Sequence, residues 1–433
     1  MMRPEPAMRL GAAYTLFLKR QGVEHPVIAV GRDTRRSGEM LQSALMSGIA
    51  SAGGSAADLG VIPTPGVSSV AARNKFDGGA VISASHNPAE YNGIKFLDRN
   101  GFKLTDDDEA DIEELFLNEK HLRFAAPTEI GGVSDGSEYR EQYAGLLKEV
   151  IKEIEDTSYP IVIDAANGAA SAFVEPLFSG WRGGVTFIGN NPDGVNINRE
   201  VGVTHIGTLA SEVIKRGASL GIAYDGDTDR VLLCDSRGRT LDGDIMLWVI
   251  GRWLAKRGML GAGVTATVMS NMVLEDLLAE EGIKVFRCPV GDRYVLDTMR
   301  REGGRIGGEQ SGHIIALEYA NTGDGLCSGI LFLKAVTELG EDISTLADRF
   351  ERYPQVLRNM KVDDKERIMS SSEVAAAAAE AERLLAGRGR MLLRPSGTEP
   401  LIRIFAESRD AELMNSAADI MEAAIKKAVA SHG

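Results

Sequence analysis

Val81-Ile82-Ser83-Ala84-Ser85-His86-Asn87-Pro88, followed closely by Asn92-Gly93-Ile94-Lys95-Phe96, reads as a buried strand from Gly79 to about Ser83 that gives way to a polar turn. Pro88 stops it there, because proline cannot continue a hydrogen-bond ladder. Ser85 is thereby put at a strand end, where α/β folds gather their chemistry. A hydroxyl is a weak nucleophile or phosphate acceptor until a base and a charge-stabilising group stand beside it, and His86 and Lys95 are the nearest candidates. Alone, the stretch also matches an ordinary strand exit in which Ser85 and Asn87 cap backbone groups.

Working outward, Pro26 to Val30 is a short β-branched run ending in Gly31-Arg32-Asp33-Thr34-Arg35. A helix from about Gly38 to Ala52 and a strand from Ala57 to Ile62 follow, so the opening part is α/β with a largely parallel sheet. Met1 to Gln21 reads as an amphipathic helix, and Asp106 to Glu119 as an acidic helical exit. The plan restarts at the strand Tyr159 to Asp164, and again near Leu241 with a helix over Asp244 to Lys256 and a strand over Val264 to Met269. After about Tyr353 the character changes to a charged strand, an alanine-rich helix from Ser372 to Ala386, strands over Met391 to Arg394 and Leu401 to Glu407, and a helix from Asp410 to Ala430. Met414, Ala417, Met421 and Ile425 share one stripe of that last helix, which packs it on the sheet. The expected architecture is three similar α/β domains with mixed, mostly parallel sheets (1–136, 137–238, 239–351) and a smaller C-terminal α+β domain (352–433).

At 433 residues the chain exceeds a single core. Its 44% hydrophobic and 25% charged residues are those of a globular protein, and 49 glycines point to many tight turns. A net charge of −14 argues against a nucleic-acid surface and against anionic membrane, while leaving room for a small anionic substrate held by a few gathered Arg and Lys. Cys234, Cys288 and Cys327 have neither metal spacing nor a disulfide framework, which fits a reducing cytoplasm. The longest apolar stretch, Ile245 to Ala255, is broken by Arg252 and too short to span a bilayer.

Tyr224-Asp225-Gly226-Asp227-Thr228-Asp229-Arg230 lies between strands Leu220 to Ala223 and Val231 to Cys234. Carboxylates at i, i+2 and i+4 fall on one side of an extended segment and repel one another unless a cation neutralises them. A hard divalent ion, most simply Mg²⁺, would do so with oxygen ligands; an EF-hand is excluded by Arg230 and Ser236 at its sixth and twelfth positions. Gly307-Gly308-Glu309-Gln310-Ser311-Gly312-His313 offers donors and acceptors suited to sugar hydroxyls. Arg394-Pro395-Ser396-Gly397-Thr398-Glu399-Pro400, with Arg403 on the next strand, could enclose a phosphate dianion, although a plain hairpin turn would look similar. Gly261-Ala262-Gly263 precedes a strand instead of following one and is no dinucleotide fingerprint.

These four loops at element ends, in this order, resemble those of the α-D-phosphohexomutase superfamily over nearly the whole length. Ile82 to Pro88, Gly308 to His313 and Val290-Gly291-Asp292-Arg293-Tyr294 are most similar to the bacterial branch acting on glucosamine phosphates, since relatives acting on glucose or mannose phosphates more often carry Met where Gln310 stands. The resemblance implies four domains around a central cleft, with Ser85 as a phosphoserine. It implies one Mg²⁺ per chain on the serine's phosphate and Asp225, Asp227 and Asp229. Glu309, Ser311 and His313 would bind sugar, and Arg394, Ser396, Gly397, Thr398 and Arg403 phosphate. His86 and Lys95 would handle protons, and Arg230 would offset the aspartates and contact phosphate.

The implied reaction converts glucosamine 6-phosphate to glucosamine 1-phosphate through a hexosamine 1,6-bisphosphate, with that or glucose 1,6-bisphosphate as activator, on the route to UDP-N-acetylglucosamine and peptidoglycan precursors. No nucleic-acid or membrane partner is implied, and a homodimer is allowed. A phosphomannomutase or phosphoglucomutase on the same fold stays open, as do an inactive phosphosugar-binding protein and a metal-dependent phosphohydrolase. Two departures stand out. Family members usually begin with a strand carrying Gly-Thr-Asp-Gly-Ile-Arg-Gly, whereas this sequence starts beyond it at Met1-Met2-Arg3-Pro4-Glu5, and the expectation is a start codon further upstream. Pro289 stands where many members place a lysine.

Overall fold

The computed structural model describes residues 2–118, 120–154, 157–396 and 399–430. They form two compact units, residues 1–270 with 278–349, and residues 271–277 with 350–433.

The first unit contains three sheets built on one plan. In the first, β1 (Val27–Arg32) lies between β2 (Ser55–Val61) and β3 (Gly78–Ile82), parallel to both; β4 (Ile94–Asp98) returns antiparallel along β3, and β5 (Val133–Asp135) adds parallel to β2. In the second, β6 (Ile161–Asp164) lies between β7 (Val185–Ile188) and β8 (Leu220–Tyr224), β9 (Val231–Asp235) returns along β8, and β10 (Thr240–Leu241) pairs with β9. In the third, β11 (Val264–Thr267) lies between β12 (Val285–Cys288) and β13 (Ile306–Gly308), with β14 (Ile314–Ala316) antiparallel to β13. The orders β4-β3-β1-β2, β9-β8-β6-β7 and β14-β13-β11-β12 are therefore one topology used three times. In each, the last parallel strand turns back into an antiparallel neighbour. The loops making that turn contain Ser85, Asp225 to Asp229, and Glu309 to His313.

The sequence explains why these elements form. β1, β3, β6 and β8 are largely apolar and buried along most of their length, as strands covered on both faces must be. The N-terminal helix, Pro4–Arg20, starts with proline at its first position, where the missing N–H costs nothing. Its Tyr14 stacks on Phe96 of β4 with ring centroids 4.3 Å apart and donates its hydroxyl to the Leu97 carbonyl at 2.7 Å. The strand expected over 264–269 ends at Thr267, because Ser270 N–H turns back onto the Thr267 carbonyl. The second unit is an antiparallel sheet of order β15 (Gln355–Lys361), β17 (Leu401–Ser408), β16 (Gly389–Pro395). Met414, Ala417, Met421 and Ile425 are all buried in its core, and each fully buried Met or Ile contributes roughly 1.5–3 kcal/mol. Among the described residues no helix is long and apolar enough to cross a membrane.

One buried helix, Gly325–Leu339, ties the fold to the Asp225–Asp229 loop. Its N-cap Asp324 accepts the Cys327 N–H at 2.9 Å and the Tyr143 hydroxyl at 3.0 Å, and its first residue, Gly325, donates N–H to the Thr228 carbonyl at 2.9 Å. Burial pushes the Asp324 carboxyl up to about 6, against the lowering effect of its hydrogen-bond donors. A carboxyl whose folded value exceeds its unfolded value of about 3.9 supplies stability that is present below the unfolded value and lost as pH rises through the folded one. Asp324→Asn keeps the acceptor for Cys327 and stays neutral. It is expected to be more stable than wild type at pH 8 by on the order of 2 kcal/mol, with the difference closing below pH 6. Denaturant midpoints at both pH values check this; an equal loss at both would show that hydrogen-bond geometry, not charge burial, governs the position.

Candidate active site

Ser85 is held in a left-handed conformation, φ +50°, which a non-glycine residue adopts only when its surroundings require it. Ser83 just beyond β3 accepts the Ser85 N–H on its hydroxyl at 2.9 Å, and Asn87 N–H closes a turn onto the Ala84 carbonyl at 3.0 Å. The Ser85 hydroxyl then points at the second sheet and donates to Asp225 Oδ2 at 2.7 Å. Gly226 permits this approach, since a Cβ there would lie 2.6 Å from the Ser85 carbonyl oxygen.

Asp225, Asp227 and Asp229 are all buried, and one ligand atom from each falls within 4.8 Å of the others. Asp225 accepts Ser85 and the Arg230 N–H, the latter at 3.2 Å. Asp227 accepts Thr64 Oγ1 at 2.7 Å and Lys95 Nζ at 2.6 Å, with Lys95 3.5 Å from Asp229 Oδ2. One oxygen of Asp227 and one of Asp229, the Oδ1 atoms, are buried with no hydrogen-bond partner. Asp229 Oδ1 has Arg230 Nε at 3.9 Å, too far for a hydrogen bond, and anionic oxygens without donors in a dry site are costly, so this all-oxygen set suits a hard divalent cation.

The charge balance is uneven across the triad. Burial, then Asp229 and Asp227, push the Asp225 carboxyl well above its usual range. Burial acts the same way on Asp229, but Lys95, His313 and Arg230 outweigh it and hold that group low. Burial would release the Lys95 proton; Asp227 and Asp229 prevent it, so Lys95 is an ammonium here. Burial and then Arg230 lower His86, whose Nδ1 lies 3.5 Å from Ser85 Oγ and 3.4 Å from Arg230 Nη1. His86 is thus the neutral group beside the serine, and Lys95 the charged one.

Four models of the phosphoglucomutase/phosphomannomutase family match in order: alpha/beta/alpha domain I over residues 1–123, domain II over 138–238, domain III over 242–353 and the C-terminal domain over 357–424. The phosphoglucosamine mutase of Carboxydothermus hydrogenoformans is 45% identical over 430 residues, 98% of this chain and 96% of that one. That of Bacillus subtilis is 41% identical over 417 residues, 95% of this chain and 92% of that one. The chain belongs to the α-D-phosphohexomutase superfamily. Its fold is shared with a solved phosphoglucomutase/phosphomannomutase family protein from Burkholderia thailandensis, at TM-score 0.83 and 22% identity, covering 99% of this chain and 94% of that one. An Aspergillus fumigatus N-acetylphosphoglucosamine mutase, solved with GlcNAc-6P and magnesium, aligns at TM-score 0.66 and 19% identity over 84% of this chain and 92% of that one.

Of the site residues expected of a phosphohexomutase, Ser85, His86, Lys95, Asp225, Asp227, Asp229 and Arg230 come together. The third equivalent loop adjoins them, for Val231, next to Arg230, donates its N–H to the Gly312 carbonyl at 3.1 Å. Within it, Glu309 accepts the Gly291 N–H at 2.9 Å and Ser311 is exposed, while His313 is buried with its Nε2 3.7 Å from Asp292. Asp292 is also paired with Lys103. In the second unit Arg394 and Arg403 sit opposite each other in register, and Arg403 Nη2 pairs with Glu399 at 3.1 Å. Ser396 is buried there and accepts Lys365 on its carbonyl at 2.5 Å. Gly397 and Thr398 lie outside the described residues. Sequence reading missed Thr64, Lys103 and Lys365, and it quoted Asp33, Arg35 and Asp292 without assigning them a part.

Proposed function

We propose that this chain interconverts glucosamine 6-phosphate and glucosamine 1-phosphate by phosphoryl transfer at Ser85. The observation that carries the reading is the Ser85 hydroxyl hydrogen-bonded to a buried carboxylate triad, in a chain 45% identical to a phosphoglucosamine mutase along 98% of its length. The four-domain division at 1–136, 137–238, 239–351 and 352–433 belongs to this reading, with the serine, the metal ligands, the sugar loop and the phosphate loop in turn. A hexose 1,6-bisphosphate serves as activator.

In the forward direction the sugar O1 attacks the phosphorus on Ser85. The P–Oγ bond breaks, a P–O1 bond forms, the O1 proton ends on the departing Ser85 Oγ, and a 1,6-bisphosphate results. In the second half, with the intermediate reversed, Ser85 Oγ attacks the 6-phosphoryl group, its proton passes to the departing O6, and glucosamine 1-phosphate leaves. His86, kept neutral by burial and Arg230, is placed to take and return the proton at Ser85 Oγ. Lys95 and Arg230 contribute fixed positive charge beside the transferred group, where positioning and charge matter more than covalent chemistry. Mg²⁺, held by Asp225, Asp227 and Asp229, would neutralise charge developing on the phosphoryl oxygens. Glu309 and Ser311 would hold the sugar, and Arg394, Ser396 and Arg403 its non-reacting phosphate.

The test is a comparison of kcat/KM on glucosamine, glucose and mannose phosphates with Mg²⁺ and a trace of glucose 1,6-bisphosphate. Glucosamine phosphate is expected to lead by at least about tenfold, the order of discrimination a few sugar contacts supply. A lead for glucose or mannose phosphate would replace the substrate assignment, and stoichiometric release of inorganic phosphate would replace the mutase reading with hydrolysis.

A further inference from the structure

Arg35 is the most deeply placed cation near the site, with a side chain entirely shielded from solvent and an ion pair to an equally shielded Asp33, Nε to Oδ2, at 2.9 Å. Both residues follow the end of β1, the central strand of the first sheet. Neither touches the Ser85 hydroxyl, yet both hold the Ser85 backbone. On the amide side, Asp33 Oδ2 accepts the Ser83 hydroxyl at 2.6 Å, and that same hydroxyl accepts the Ser85 N–H. On the carbonyl side, Arg35 Nη2 donates to the Ser85 carbonyl at 3.0 Å and the Asn87 carbonyl at 2.8 Å, while Nη1 donates to the Pro88 and Tyr91 carbonyls.

A second donor converges on the same atoms from the second sheet's domain. Asn198 Nδ2 donates to the Ser85 carbonyl at 2.9 Å and to the Asn87 carbonyl at 3.0 Å. Each of these two carbonyls thus has both lone-pair directions filled, one by Arg35 and one by Asn198. Asn198 is itself buried and in a left-handed conformation, φ +57°. A buried ion pair is weak evidence of net stability, because desolvating the two charges costs about as much as their attraction returns. What six donated hydrogen bonds to the carbonyls of Ser85, Asn87, Pro88 and Tyr91 do supply is one fixed conformation of the turn, with its carbonyls drawn inward and the serine Oγ directed at Asp225.

We infer that Asp33, Arg35 and Asn198 are positioning residues: a two-sided backbone clamp that holds Ser85 in its left-handed conformation and sets the line of phosphoryl transfer. This rests on the reading of Ser85 as the phosphoryl carrier. The clamp spans the two domains that supply the serine and the metal ligands, so it also fixes the distance between them.

The test uses Asn198→Gly, which keeps the left-handed backbone without strain and removes only the donors, and Arg35→Lys, which keeps the charge beside Asp33 but cannot reach four carbonyls. Dephosphorylated full-length protein is mixed with glucose 1,6-bisphosphate, and appearance of one phosphoryl group on the chain is followed by intact mass, alongside steady-state kcat and KM and the thermal midpoint. Phosphorylation of Ser85 and kcat are expected to fall together by about tenfold in Asn198→Gly and about 100-fold in Arg35→Lys, the scale expected of a misplaced reacting atom, with KM within about twofold. The Asn198→Gly thermal midpoint is expected to stay at the wild-type value. Wild-type rates in Asn198→Gly, or a kcat loss that only mirrors a drop in its midpoint, would overturn the clamp. Should wild type itself neither accept the phosphoryl group nor turn over the sugar phosphate, the carrier reading falls first and the clamp with it.

Discussion

Ser85→Ala lowers turnover of glucosamine 6-phosphate by at least about 1,000-fold, because it removes the atom that must carry the phosphoryl group between the two half-reactions. No neighbour can take over. His86 has the reach but would have to enter the same line to the triad, and the geometry aims only the serine Oγ at Asp225, at 2.7 Å. The loss in stability is small by contrast. One hydrogen bond to Asp225 disappears, worth about 1 kcal/mol, and the left-handed backbone at position 85 is as strained for alanine as for serine. Activity should therefore vanish in a protein that melts within a few degrees of wild type, and intact mass after incubation with glucose 1,6-bisphosphate should show a phosphoryl group on wild type alone. A variant that keeps more than a few per cent of wild-type turnover would remove Ser85 from the mechanism.

What could be read from the chain follows from how local each signal is. The Ser85 turn and the Asp225 to Asp229 loop were legible because each sits inside one short strand–turn–strand segment, 78–98 and 220–235, where alternation and a proline or a run of carboxylates mark the ends. The same holds for the last helix, whose Met414, Ala417, Met421 and Ile425 stripe lies buried as its spacing requires. The threefold use of one sheet topology showed only as a recurring strand and polar turn, since short strands such as β7 and β12 are half-buried and alternate weakly. Arg35 and Asn198 were out of reach for a plainer reason. Their meaning depends on carbonyls that are 50 to 56 and 111 to 113 residues away, and a backbone acceptor leaves no mark in a sequence. His313 shows the converse: its motif was visible, but only packing reveals a buried ring facing Asp292 instead of an open one.

Asp225→Asn is expected to change activity and stability in opposite directions, and that contrast separates a metal ligand from a structural acid. With Mg²⁺ present, turnover falls by about 100-fold or more if the triad holds the cation as proposed, since one of its three carboxylates is gone and with it part of the charge neutralisation the transfer requires. Wild type at a Mg²⁺ concentration of about 100 times its dissociation constant gains about 2.7 kcal/mol, seen as a higher melting temperature that a chelator reverses, and the variant loses most of that gain. Without the ion the ordering reverses. Asp225 is buried with Asp227 and Asp229 beside it, its nearest compensation being the Ser85 hydroxyl and the Arg230 N–H. Asparagine can accept from Arg230 and donate to Ser85 while removing one like charge from the triad, so the chelated variant should melt at or above chelated wild type. Melting curves of both proteins with Mg²⁺ and with chelator decide the matter. A variant less stable than wild type in chelator, with an undiminished response to Mg²⁺, would show that Asp225 shapes the loop and that the cation is held elsewhere.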